Sequence, residues 1–128
     1  MQEGLYAPTR VAINSRRAPA SINSLPMSFT EFQQSLRAQE GPPAGLPPAL
    51  QALWHEAKGD WERAHECAQQ ETSRDGAWVH AYLHRKEGDE GNAGYWYARA
   101  GRPFPETSPE TEWTEIAGDL LLKTANER

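Results

Sequence analysis

The chain has a single cysteine in 128 residues, no long apolar run and no window of clean apolar/polar alternation. Each lack excludes something. Cys67 alone cannot close an intramolecular disulfide, which fits a reducing, cytoplasmic setting. Without about 18 consecutive apolar residues, no membrane helix is expected. The stretch "MQEGLYAPTRVAINSRRAPASINS" lacks the apolar segment of a secretory signal, and Pro8 and Pro19 would break a presequence helix. Without alternation, half-buried strands are not expected. There is no Gly-rich phosphate loop, no cysteine cluster and no serine elbow between glycines, so no strong catalytic signature and no cofactor motif.

Charge is unevenly spread over the net −5. Residues 1–27 carry Arg10, Arg16 and Arg17 against Glu3, a net of +2, which leaves −7 for the rest. An acidic folded part has the wrong sign for tracking phosphates, so nucleic acid is not an expected partner. Residues 1–27 also lack periodicity and read as a flexible N-terminal arm.

What is present reads as helix. "SFTEFQQSLRAQE" offers Ser28 as N-cap with Glu31 three residues later, a capping box, and predicts a helix over about 28–40. "GPPAGLPP" ends it as a linker. From Ala49 onward helices are broken at Gly59-Asp60, at "TSRDG", at Gly88-Asp89 and at "GRPFPETSP". Ser108-Pro109 makes a cap and first helical residue. Trp113, Ile116, Ala117, Leu120 and Leu121 then form an amphipathic stripe on a closing helix over about 109–126.

The chain repeats itself. "LWHEAKGDWERAHECA" and "YLHRKEGDEGNAGYWY" superpose His55 on His84, Gly59 on Gly88, Asp60 on Asp89 and Ala64 on Ala93, at a constant shift of 29 residues. A Gly past a helix end takes the left-handed conformation cheaply, and an Asp directly after it caps the next helix. Gly-Asp therefore closes one helix and opens another, and the Ala four residues on lets the two approach. Two such hairpins, about 48–71 and 77–101, should stack, because neither buries its apolar face alone.

Gly88, Asp89, Ala93, Tyr97, Ala100 and Pro105, with Ala81, resemble the second half of a tetratricopeptide (TPR) repeat, and "YWYARAG" resembles the end of a Sel1-like repeat. The first unit departs from that pattern in having Ala68 where an aromatic belongs. Its period is also shorter than the usual ~34 residues. The resemblance covers roughly residues 48–105. It implies an all-α fold: two stacked TPR-like hairpins flanked by an N-terminal helix and a C-terminal capping helix, one domain over 28–128. The longer string "WVHAYLHRKEGDEGNAGYWYARAG" also resembles short uncharacterised bacterial and fungal proteins, a likeness that implies no particular activity.

Among residues that carry chemistry, His80, His84 and Glu87 share one helix face at i, i+4 and i+7, a spacing able to supply metal ligands. His84 and His55 fall at equivalent repeat positions, which points instead to a hydrogen bond between helices. His65 gives no separate signal. Asp60 and Asp89 read as N-caps and Cys67 as a small buried hydrophobe. Trp96 and Tyr97 are expected in the core. Tyr95 lies off that stripe, and Arg85, Lys86, Arg99 and Arg102 form a basic rim near it. Tyr95, Arg99, Arg85 and His84 are thus the candidate binding residues. The leading expectation is a non-catalytic protein-interaction module that takes a peptide or subunit in the groove between hairpins. The alternative is a small metal- or ligand-binding enzyme using His80 and His84 with His55 and Glu87, and a homodimer across the apolar face is a third reading.

Overall fold

The structure, a computed structural model, describes residues 26–126. The arm expected over 1–27 lies outside them except for its last two residues, and Met27 is buried in the core. Among the described residues six α-helices run in order: α1 (Phe29–Ala38), α2 (Pro48–Ala57), α3 (Trp61–Gln69), α4 (Arg74–Lys86), α5 (Glu90–Ala100) and α6 (Pro109–Asn126). Among the described residues there is no strand, and no helix is long and apolar enough to cross a membrane.

Ser28 and Glu31 form the reciprocal capping box of α1, with bonds of 3.0 and 2.9 Å. The two Gly-Asp corners are near copies. Gly59 and Gly88 both sit at φ 87°, where any Cβ would be strained. The amide of Asp60 donates to the His55 carbonyl and that of Asp89 to the His84 carbonyl, each at 2.9 Å, the six-residue closure of a Schellman turn. The two carboxylates then cap the following helices, accepting from Arg63 N at 3.1 Å and Asn92 N at 3.2 Å. Ala64 and Ala93 are fully buried where the helices come together. So α2 packs on α3 and α4 on α5.

The second hairpin starts earlier than residue 77. Ser73 accepts from Gly76 N at 3.3 Å and opens α4 at Arg74, so "RDG" is the first helical turn rather than part of the break. Gly76 is required there, because a Cβ would fall 1.9 Å from the Glu71 carbonyl oxygen. From Gly76 to His84 every residue of α4 is buried. This is the central helix.

The flanking helices close the array. Ile116, Ala117, Leu120 and Leu121 of α6 are buried, and the Trp113 indole donates to Leu53 O at 3.1 Å. Phe29 and Phe32 of α1 meet Trp113 at 6.1 and 5.8 Å between ring centroids. Ser35 accepts from Trp54 Nε1 at 3.0 Å, and Lys58 Nζ reaches Leu36 O at 2.7 Å. α1 therefore packs against both α2 and α6.

One acid joins three helices. Glu112, 1% exposed, accepts from Trp78 Nε1 at 3.2 Å and Arg85 Nη1 at 2.9 Å on α4, and from the Tyr97 hydroxyl of α5 at 2.6 Å. Burial and this bond to a carboxylate push the Tyr97 hydroxyl's pKa far up, so it stays a donor. Glu112→Ala takes the acceptor from two buried donors, Trp78 and Tyr97, and the carboxylate from the part-buried Arg85 guanidinium. It should lower stability by about 3–5 kcal/mol, read by urea unfolding, with Glu112→Gln costing less because one acceptor survives.

Candidate metal centre

Packing α3 against α4 brings together histidines that lie far apart in sequence. His65 Nε2 of α3 is 2.8 Å from His80 Nε2 of α4, and ring centroids are 4.5 Å (His65–His80), 5.3 Å (His65–His84) and 5.1 Å (His80–His84) apart. Each imidazole offers a ring nitrogen within 4.8 Å of the other two. His80 and His84 are 5% and 8% exposed, and His65 is half-buried.

Two tryptophans hold the rings in place. Trp61 stacks on His65 (4.8 Å, 11° between planes) and meets His84 edge-on at 5.8 Å. Its indole is itself pinned by donating to Leu83 O at 2.8 Å. Trp96 of α5 stacks on the other outer ring, His80, at 3.9 Å and 9°. That contact explains why Trp96 is half-buried rather than in the core as expected: its face is spent on a polar ring at the edge of a cavity.

His84 is oriented from behind. Its Nδ1 lies 2.6 Å from Glu87 Oε1. A carboxylate oxygen accepts, so Nδ1 is the donor of this contact, and Nε2 is the ring nitrogen left to face a ligand. Glu87 is held at this spot because it is the C-cap of α4, fixed by the Gly88-Asp89 corner.

The expected roles change accordingly. His80 and His84 do come together, but the third imidazole is His65, not His55. His55 lies on α2 edge-on to Trp54, outside both clusters of potential ligands among the described residues. Glu87 orients His84 instead of joining the imidazoles. The bond expected to link His84 to another helix runs instead to this helix cap, and the imidazole bond between helices is His65–His80. Arg85, a candidate binding residue, is turned inward: its guanidinium serves Glu112 and the Thr107 carbonyl. Lys86 meets Glu56 at 3.4 Å, and Arg102 stacks on Trp78 with its carbon 3.4 Å from the ring centroid. Of the basic rim only Arg99 stays at Tyr95, its guanidinium 5.8 Å from a ring that is 55% exposed. A second acidic grouping, His84, Glu87 and Asp89, is already engaged: both Asp89 oxygens bond Asn92.

His65 carried a signal that was readable. It and His80 are equally spaced from the turn at Thr72-Ser73, and antiparallel helices joined there bring such positions opposite each other. Cys67 is buried, and burial pushes its thiol pKa up, away from nucleophilic use.

Crowding disfavours the protonated forms of His80 and His65. Burial, with His65 and His84 beside it, lowers His80 to about 4, and burial lowers His65 as well. Unprotonated rings are lone-pair donors, so the cluster repels protons and suits a metal cation. In the unfolded chain the same imidazoles titrate near ~6.5. Between that value and about 4 the unfolded state binds more protons, so stability falls as pH falls across this window. Thermal unfolding of chelator-treated protein should therefore drop from about pH 7 to about pH 4.5, and less steeply in His80→Gln.

Scans against protein-family models, curated proteins and solved structures return no match to this chain, so the centre is characterised by its geometry.

Proposed function

We propose that this protein is a TPR-like helical-repeat protein whose working centre is a divalent transition-metal site formed by His65, His80 and His84. The observation that carries it is the convergence of three imidazole nitrogens within 4.8 Å of one another, with His84 oriented by a carboxylate at 2.6 Å. A carboxylate behind a ligating imidazole is the usual second support of a metal site, fixing tautomer and raising basicity. Three neutral imidazoles suit zinc best among common ions, with iron, copper and nickel also compatible. On a tetrahedral metal, two nitrogens at about 2.0–2.1 Å lie roughly 3.3 Å from each other. The 2.8 Å His65–His80 contact is therefore within about half an ångström of a ligand pair.

Three protein ligands leave a coordination position for water or substrate, the arrangement of catalytic rather than purely structural zinc. This favours the metal-binding enzyme over the groove-binding module. The near-identical Gly59-Asp60 and Gly88-Asp89 corners support the TPR-like reading of the scaffold, and a buried, unpaired Cys67 fits a cytoplasmic protein. A second reading, a contact surface for another protein, is favoured by exposed Tyr95 with Arg99 against it. Tyr95→Ala tests it, since it should weaken partner capture and leave metal uptake intact.

Elemental analysis of untagged protein should find about one metal ion per chain. His65→Ala and His80→Ala should abolish stoichiometric zinc uptake, and Glu87→Gln should weaken it by about 10–100-fold. Protein that stays metal-free at micromolar zinc, and whose melting temperature zinc does not raise, would sink the proposal.

A further inference from the structure

His80 also lines a cavity of about 390 Å³ between α3, α4 and α5, bounded by Gln69, Glu71, Arg74, Trp96 and Arg99 among others. That volume is at the lower end of small-molecule sites. Its wall is continuous with the imidazole cluster through the His80–Trp96 stack.

The arginines around it are not matched by acids, as Arg37 and Lys58 are not elsewhere among the described residues. Arg63, Arg85, Lys86, Arg102 and Lys123 each face a carboxylate. Arg74 and Arg99 face none among the described residues, although the chain has an excess of acids. Arg99 has a single polar partner, the Tyr95 hydroxyl at 3.3 Å, and lies 5.4 Å over the Trp96 ring. A guanidinium laid along aromatic faces is held in orientation while its donors stay free. The one carboxylate in the lining, Glu71, accepts from Ser73 Oγ at 3.1 Å, which leaves two guanidiniums against one acid.

We propose that this cavity takes a small oxyanion, a carboxylate or a phosphate group, gripped by Arg74 and Arg99 beside the metal held by His80. Planar guanidinium forks match the oxygens of either group. The two guanidiniums would give such a ligand both charge neutralisation and orientation, and His80, the one imidazole of the three in the lining, would put a bound metal at the edge of the cavity. The metal half of this inference rests on the proposed function; the arginine half does not.

Calorimetric titration with inorganic phosphate and, separately, succinate should be run on zinc-loaded and on chelator-treated protein. One of the two anions should bind saturably at a single site, and which one does distinguishes phosphate from carboxylate. Arg74→Gln and Arg99→Gln should each weaken it by about tenfold without changing the melting temperature or zinc uptake. Arg37→Gln, which removes an arginine outside the lining, should change nothing. The inference is overturned if neither anion binds at millimolar concentration or if the Arg74 and Arg99 variants bind like wild type. Zinc uptake without anion binding would leave the proposed function standing and remove this one. Anion binding to chelator-treated protein that never takes up zinc would do the reverse.

Discussion

The complete burial of α4 is the constraint to which the rest of the molecule answers. Nine consecutive residues, Gly76 to His84, are out of solvent, so each polar side chain there must find a partner inside the protein. Trp78 and, one residue past the stretch, Arg85 are met by Glu112 of α6. Tyr82 donates to Glu56 of α2 at 3.2 Å. His80 is met by His65 of α3, and His84 by Glu87. Three neighbouring helices and the helix's own C-cap thus satisfy it, and their positions follow from where its polar groups emerge.

The same constraint separates architecture from chemistry. On the Glu112 side the donors and the acceptor are matched: two neutral donors and a guanidinium around one carboxylate. A closed set of that kind leaves no lone pair or proton free for a ligand. On the histidine side the match is incomplete. Three imidazoles meet with one hydrogen bond between them, and neither Trp61 nor Trp96 can accept. An apolar pair would pack this position with less desolvation cost. The chain instead keeps three imidazoles with ring nitrogens within 4.8 Å of one another.

The helices, the two Gly-Asp corners and the Ser28 and Ser108 caps were legible in the sequence because each depends on residues within four positions of one another. His84 and Glu87 were legible for the same reason. His65 was legible only through its register with His80 across the Thr72-Ser73 turn, since its own neighbours, Ala64 and Glu66, say nothing about it. Glu112 looked like one more acid in the first turn of a surface helix. Only the approach of α4 and α5 to its side makes it a buried acceptor. Arg85 was misread in parallel, as a rim charge, since nothing local shows that a carboxylate 27 residues away waits for it.

The three imidazoles are not held equally, and the difference bears on how a metal would be accommodated. His80 and His84 project from the buried helix, one stacked on Trp96 and the other tied to Glu87, and Glu112 anchors that helix on another face. His65 projects from α3, a helix of nine residues, and is half-buried. Its ring is steadied by Trp61, which is only partly buried. On binding a metal, the small opening from 2.8 Å to a ligand-pair separation would therefore fall to His65 and Trp61, moving against the pair held on α4. In the proposed site α4 would supply the two firmly held ligands and α3 the adjustable one.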